Sequence, residues 1–402
     1  MDMKQKLHDA YKPDSVGRKK RIVVGLSGGI DSMVTAYLLK IQKYELIGVT
    51  VVNSWDNYQG NQSDTLSCLV TPEKIEMIHE FCQQLGIPHQ VVKSSNEFQE
   101  EVVEGWVASR MVGTLYKPCW NCHGLRMRIL YEKMLQLGAD TIATGHFAKL
   151  YYHEQSKSVS VHTANDELND QSALLSRLPN DILISLMLPL SDLQKKEVIK
   201  LSENFGLSSL DKKVKMHQCF TDGPEALKYL EEKIPGKYKA TGEILDKEAA
   251  NKFGDHTGVY RHVYGGTIDT LMQRNISLLL SKYSISDKIL TVDHEDSFKK
   301  TKIILLNCET PEDTSWPEPF KAVIQLGENF VDCWVYPKSL KATFVEWEGP
   351  YKVLEGDIVS VYKKKGKNSK VFFTGMVRHL PPEPIVELED KNVKKSDHSR
   401  DL

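Results

Sequence analysis

From Arg21 to about Lys149 the chain alternates short apolar runs with amphipathic stretches. Runs at 22–26, 46–52, 89–92 and 141–144 read as strands, because they are brief, rich in β-branched residues and bounded by turn formers. Segments 31–41, 72–85, 98–110 and 123–137 carry the apolar spacing of helices, and Gly48, Gly86 and Gly138 punctuate the series. Strands separated by helices predict a parallel, doubly wound α/β sheet, which binds its ligands beyond the carboxyl ends of the strands.

The pattern then changes. A strand-like stretch after Leu150 leads to a helix at 193–205 closed by Gly206, and 218–250 reads as helix and turn broken by Pro235-Gly236. Beyond Asp269, short runs at 303–306, 322–326, 341–347 and 357–362 are separated by turn residues, as in a small β-barrel. The expected organisation is a basic extension (1–20), a catalytic α/β domain (21–215), a small mixed linker domain (216–270), a C-terminal β-barrel (271–380) and a loose charged tail (381–402).

Composition narrows the class. The 402 residues are 41% hydrophobic and 26% charged, as in ordinary globular proteins. No stretch approaches the ~20 apolar residues of a membrane span. The polar, basic N-terminus lacks the apolar core of an export signal, so the cytoplasm is the expected compartment and a membrane is not an expected partner. The net charge of −2 hides basic clusters at 18–21, at Lys212, Lys213 and Lys215, and at 363–367, each able to meet a phosphate backbone or simply to be solvated. Seven cysteines, an odd number, argue against a disulfide framework and for thiol chemistry or burial.

Four short motifs carry chemistry. Ser27-Gly28-Gly29-Ile30-Asp31-Ser32 follows the first strand and opens the first helix. Two glycines permit close backbone approach, the serines add hydroxyls, and the helix start offers free N–H groups to an anion such as phosphate. No lysine follows the second glycine, so this is not the common ATPase loop. Cys119-Trp120-Asn121-Cys122 precedes a helix, where a thiolate is favoured; as it stands the pair reads as a redox dithiol, half a metal site, or a nucleophile with a neighbour. Ala143-Thr144-Gly145-His146 ends a strand, and Asp170-Gln171-Ser172 reads as polar groups before an apolar pair.

In this order the motifs resemble the tRNA-specific 2-thiouridylases, ATP pyrophosphatases that replace O2 of the wobble uridine with sulfur. The resemblance runs from about Arg21 to Tyr264 and weakly onward to about Val377. It covers the pyrophosphate loop, Asn53-Ser54-Trp55, the spacing from Pro118 to Cys122, Ala143 to His146, Asp170 to Ser172, and Cys219. It implies that Leu26, Ser27, Gly28, Gly29, Ile30, Asp31 and Ser32, with Gly145 and His146, hold ATP, and that Asp31 is the indirect partner of Mg²⁺. It also implies that Cys122 and Cys219 are the catalytic cysteines, and that Asp170, Gln171, Ser172, Lys212, Lys213 and Lys215 meet the RNA.

One departure is informative: Cys119 stands where the family commonly has Asp. Cys119, Cys122 and Cys219 then suit a [4Fe–4S] cluster with an open iron, and this reading is favoured over a persulfide on Cys122 released through Cys219, because the change adds a soft ligand. The implied partners are tRNA and a sulfur relay protein, a cysteine desulfurase or inorganic sulfide. A second departure, Gly266-Thr267-Ile268-Asp269 in place of a basic run, leaves the modified RNA open. Amide formation on the same fold, or a non-catalytic RNA-binding or iron–sulfur protein, are the alternatives.

Overall fold

Ile22, Val23 and Val24 are wholly buried, a continuous apolar run that only a strand covered on both faces can accommodate. In a computed structural model, which describes residues 20–53, 70–207, 221, 224–248, 251–309, 318–339 and 342–378, this run is the centre of a five-stranded sheet. Its strands are Arg21–Gly25 (β1), Glu45–Val52 (β2), His89–Lys93 (β3) and Thr141–Ala143 (β4), followed, after the hairpin Lys149–His153 (β5) and Ser158–His162 (β6), by Leu186–Met187 (β7). The order is β3-β2-β1-β4-β7 with every pair parallel. Strand order reverses direction between β1 and β4, which creates the crevice where such sheets bind ligands.

Helices cover both faces. Ile22 and Val24 pack with Met33 and Leu38 of Ile30–Ile41 (α1) and Ile78 of Pro72–Leu85 (α2). Val23 points the other way, into a core shared with Leu125, Leu130 and Met134. The sequence itself specifies the ends of α2: the Thr71 hydroxyl accepts from Lys74 N, Pro72 occupies the first turn, and Gly86 closes it at φ 60°. Next come Ser95–Phe98 (α3), a π-helical turn Gln99–Val103, and Glu104–Val112 (α4). The helix expected at 123–137 instead spans Pro118–Gln136 (α5). Proline is pre-set for a first helical position, so Pro118 starts the helix and carries both Cys119 and Cys122 onto it.

Short helices Ser172–Leu175 (α6) and Asn180–Ile184 (α7) lead to Lys195–Asn204 (α8), capped reciprocally by Gln194 and Glu197. Pro224–Lys233 (α9) packs back through Tyr229, which stacks with Trp106. The segment read as helix and turn up to residue 250 contains a strand. Gly242–Asp246 (β8) joins Lys252–His256 (β9), Leu279–Ser284 (β10) and Ile289–Asp293 (β11) in a sheet ordered β10-β11-β8-β9. The closed barrel follows, from Lys299–Glu309 (β12), Phe320–Leu326 (β13), Asn329–Ser339 (β14), Ala342–Lys352 (β15), Ile358–Tyr362 (β16) and Val371–Arg378 (β17). Closure leaves no bare sheet edge. The expected doubly wound sheet, mixed middle region and C-terminal barrel are thus all present.

The barrel is fused to the first domain. Tyr362 and Val371 share a core with Val161, Leu175 and Leu178. Beside them the wholly buried Thr374 hydroxyl bonds Ser176 Oγ at 2.8 Å and Ser360 Oγ at 2.6 Å. Thr374→Val keeps the shape but removes the partner of the buried Ser360 hydroxyl, so it is expected to destabilise the protein by about 1–3 kcal/mol, read as a lowered denaturation midpoint.

Candidate functional site

The loop after β1 is held open by its own hydroxyls. Gly28 takes φ 78°, and Ser32 Oγ donates to Gly29 O at 2.9 Å while accepting from Ser27 N at 3.2 Å. No side chain caps the start of α1, so its first N–H groups point outward as an anion cradle. Asp31 is bound at both carboxylate oxygens by Lys195 Nζ, each at 2.6 Å. Lys195 in turn is fixed by its own N–H, which donates to Asp166 Oδ2 at 2.7 Å.

Across the crevice, the turn after β4 presses onto this loop. A Cβ on Gly145 would stand 2.6 Å from the Asp31 carbonyl carbon and 2.9 Å from Ser32 N, so only glycine fits. His146 Nδ1 bonds Thr144 Oγ1 at 2.8 Å, and its Nε2 lies 3.2 Å from His123 Nε2. A bond between two ring nitrogens requires one of them to offer a lone pair. Burial pushes His146 down to about 4. Burial also pushes His123 well below its usual value, helped by His146 and by the guanidiniums of Arg126 and Arg177. The pair is neutral at physiological pH.

Cys119 and Cys122 lie three residues apart on the first turns of α5 and both line the cleft. Asn53 Nδ2 donates to Cys122 Sγ at 3.2 Å, and Asn53 is itself held by Ser94 Oγ at 2.9 Å. Among the described cysteines, Cys82, Cys308 and Cys333 are buried. Burial raises the Cys82 thiol to about 11 and the Cys333 thiol to about 12, so they are packing residues rather than nucleophiles. The cleft, about 350 Å³, is lined by Leu26, Ser27, Asp31, Ser32, Asn53, Cys119, Cys122, His123, Arg126, Gly145, His146 and Gln171 among others. An anion cradle and a thiol of helix-start character therefore open into one space.

Ser172, expected at the RNA, is instead wholly buried, and the half-buried Asp170 carboxylate accepts from Ala164 N at 2.7 Å and from Ser172 Oγ at 2.5 Å. Desolvation by burial lifts Asp170 to about 6 against those hydrogen bonds. Both build the turn that places Gln171, whose Oε1 accepts from Phe147 N at 3.1 Å and which alone of the three lines the cleft. Cys219, Lys212, Lys213 and Lys215, like Ser54 and Trp55, lie outside the described residues. Sequence reading missed Lys195, His123 and Arg126. Lys195 opens a helix 164 residues from Asp31 with no local signal. His123 and Arg126 become legible only once the helix is known to start at Pro118.

Among the described residues no helix is long and apolar enough to cross a membrane. The family model of the tRNA methyl transferase HUP domain matches residues 20–223. The tRNA-specific 2-thiouridylase MnmA 1 of Caldanaerobacter subterraneus subsp. tengcongensis is 32% identical over 291 residues, 71% of this chain and 78% of that protein. The MnmA of Geobacter metallireducens is 33% identical over 61% of this chain and 67% of its own. That of Clostridium acetobutylicum is 26% identical over 85% and 96%. With its α/β domain matched from end to end and relatives aligned through most of their length, the chain belongs to the tRNA-specific 2-thiouridylase family.

Proposed function

We propose that the chain is an ATP-dependent sulfurtransferase that converts a tRNA uridine, at the wobble position, to 2-thiouridine. The observation that carries this reading is the single cleft shared by the pyrophosphate loop and Cys122. A pyrimidine carbonyl oxygen is a poor leaving group. Attack of O2 on the α-phosphorus of ATP expels pyrophosphate and leaves an adenylated base; a sulfur nucleophile then bonds to C2 and the oxygen departs with AMP. The loop N–H groups, Ser27, Ser32 and Lys195 neutralise the departing phosphates. The Asn53 amide steadies negative charge on Cys122. The neutral His123–His146 pair walls the cleft without adding a competing charge. To reach C2 the base must leave its stack and enter this cleft.

Mg²⁺ would be held chiefly by the nucleotide's own phosphates, because Asp31 is the carboxylate of the lining and Lys195 already engages it; the ion would supply further charge neutralisation. The paired thiols Cys119 and Cys122 offer two soft donors to a [4Fe–4S] group, with Cys219 as the third, and such a group would supply an open iron able to hold sulfide. The persulfide route would use Cys122 and Cys219 alone: a relay protein or desulfurase would deliver sulfur already at the persulfide level, and Cys219 would release it from Cys122 as a Cys122–Cys219 disulfide forms. Sulfide would serve the cluster route.

The direct test is mass spectrometry of tRNA nucleosides after incubation of the purified, anaerobically prepared protein with tRNA and Mg-ATP, with sulfide in one reaction and a cysteine desulfurase plus cysteine in another. 2-Thiouridine and AMP are expected together, and an unchanged uridine profile would overturn the reading. Cys122→Ser should reduce thiolation to background while tRNA and ATP still bind, as gel shift and nucleotide titration would show. Asn53→Ala, which removes the bond to sulfur, should slow the sulfur step on the order of tenfold. Lys195→Met should lower pyrophosphate release about 100-fold, measured by a coupled phosphate assay.

The histidine pair also sets a pH dependence. Its folded values lie below the unfolded value near 6.5. The stability it contributes is therefore full above about pH 6.5 and is lost as pH falls toward about 4. Asp170, raised to about 6, acts in the opposite sense. Thermal scans from pH 7.5 to 4.5 should thus show a smaller acid loss for His146→Asn than for the unaltered chain.

A further inference from the structure

The basic cluster at 363–367 remains unused by the chemistry above, and the structure gives it an unusual setting. It forms the turn between β16 and β17, and that turn is clamped to the first domain. Thr163 N donates to Ser369 O at 2.9 Å, Asn368 N to Thr163 O at 3.2 Å, Ser369 N to Thr163 Oγ1 at 2.7 Å, and Thr163 Oγ1 to Gly366 O at 2.8 Å. Tyr151 on β5 adds a bond from its hydroxyl to Asn368 Oδ1 at 2.9 Å. A turn held at this many points is a rigid platform, not a loose solvated loop.

Lys363, Lys364, Lys365 and Lys367 are exposed, and no acidic side chain among the described residues pairs with any of them. Three other lysines, on the middle sheet and the barrel, are matched: Lys252 meets Glu243 and Asp255, Lys299 meets Asp296, and Lys352 meets Glu295. Four unmatched ammonium groups on a fixed turn repel one another, a cost that an anionic partner would offset. Beside them stands Tyr151 of the β5–β6 hairpin, 41% exposed, which bonds the turn through Asn368. That hairpin begins three residues after His146 of the cleft wall. Positive charge beside an exposed ring, on a support continuous with the catalytic crevice, matches the backbone of a nucleic acid.

We propose that the 363–367 turn and the β5–β6 hairpin form a joint platform for the phosphate backbone of the tRNA substrate, gripping a stem while the uridine enters the cleft. This deepens the reading of the chain as a tRNA-thiolating enzyme and rests on it. The lysines contact phosphates and carry no sequence information, so they act on affinity rather than on the choice of base.

The test is a salt titration of tRNA binding by the full chain and by a Lys363→Gln/Lys365→Gln/Lys367→Gln variant, with nucleotide binding as the check that the fold is intact. The variant should bind tRNA at least about tenfold more weakly at low salt, and its slope of log affinity against log salt should be shallower by about 2 to 3. An unchanged affinity and slope in the triple variant overturns the platform even if the unaltered protein thiolates tRNA. So does a loss confined to binding of anionic vesicles or of a sulfur-donor protein. Absence of both tRNA binding and thiolation in the unaltered protein removes the enzymatic reading and the platform together.

Discussion

The site depends on the backbone of Gly145 resting against the backbone of Asp31 and Ser32 with no room for a Cβ. That contact joins the two loops that leave β1 and β4, the adjacent parallel strands between which the chain changes direction. Because the strands are parallel, both loops emerge from the same edge of the sheet. Because the loops touch, the anion cradle and the Thr144–His146 turn form one wall. Every other functional group is placed relative to that wall: Lys195 reaches Asp31 from α8, and His123 reaches His146 from α5.

Two helix starts converge on the crevice, those of α1 and α5. Their unpaired N–H groups make the space electropositive without adding mobile side-chain charge. This favours a phosphate at one end and a thiolate at the other, two anions that would repel each other in a neutral cavity. Arg126 adds fixed charge to the lining and, after burial, helps to keep His123 unprotonated. Burial by itself keeps His146 neutral.

The C-terminal barrel is bound into this arrangement by contacts of two kinds. Tyr362 and Val371 enter the core of the first domain, and Thr374 joins hydroxyls from both sides. Asp170 lies near this junction, and its charge helps raise the Tyr362 hydroxyl well above its usual range, after burial itself. Of the Asp-Gln-Ser segment, the ends build the turn and the middle residue, Gln171, lines the cleft.

The chain's linear pattern determined a good deal alone. The strands β1 to β4, the helices α1 and α2, the pyrophosphate loop and four of the six barrel strands follow from apolar spacing, glycines and caps, all of which act within a few residues. The start of α5 did not, because Pro118 can end a loop or begin a helix, and packing against the sheet decided for the helix. The strand β8 escaped because its partners β9 and β11 lie up to 46 positions away. Only the tertiary structure decided that Lys195 holds Asp31, that Asn53 meets Cys122, and that Asp170 turns inward. Those pairings join residues that share no local periodicity, and they exist because sheet topology and close packing carry distant segments to one edge.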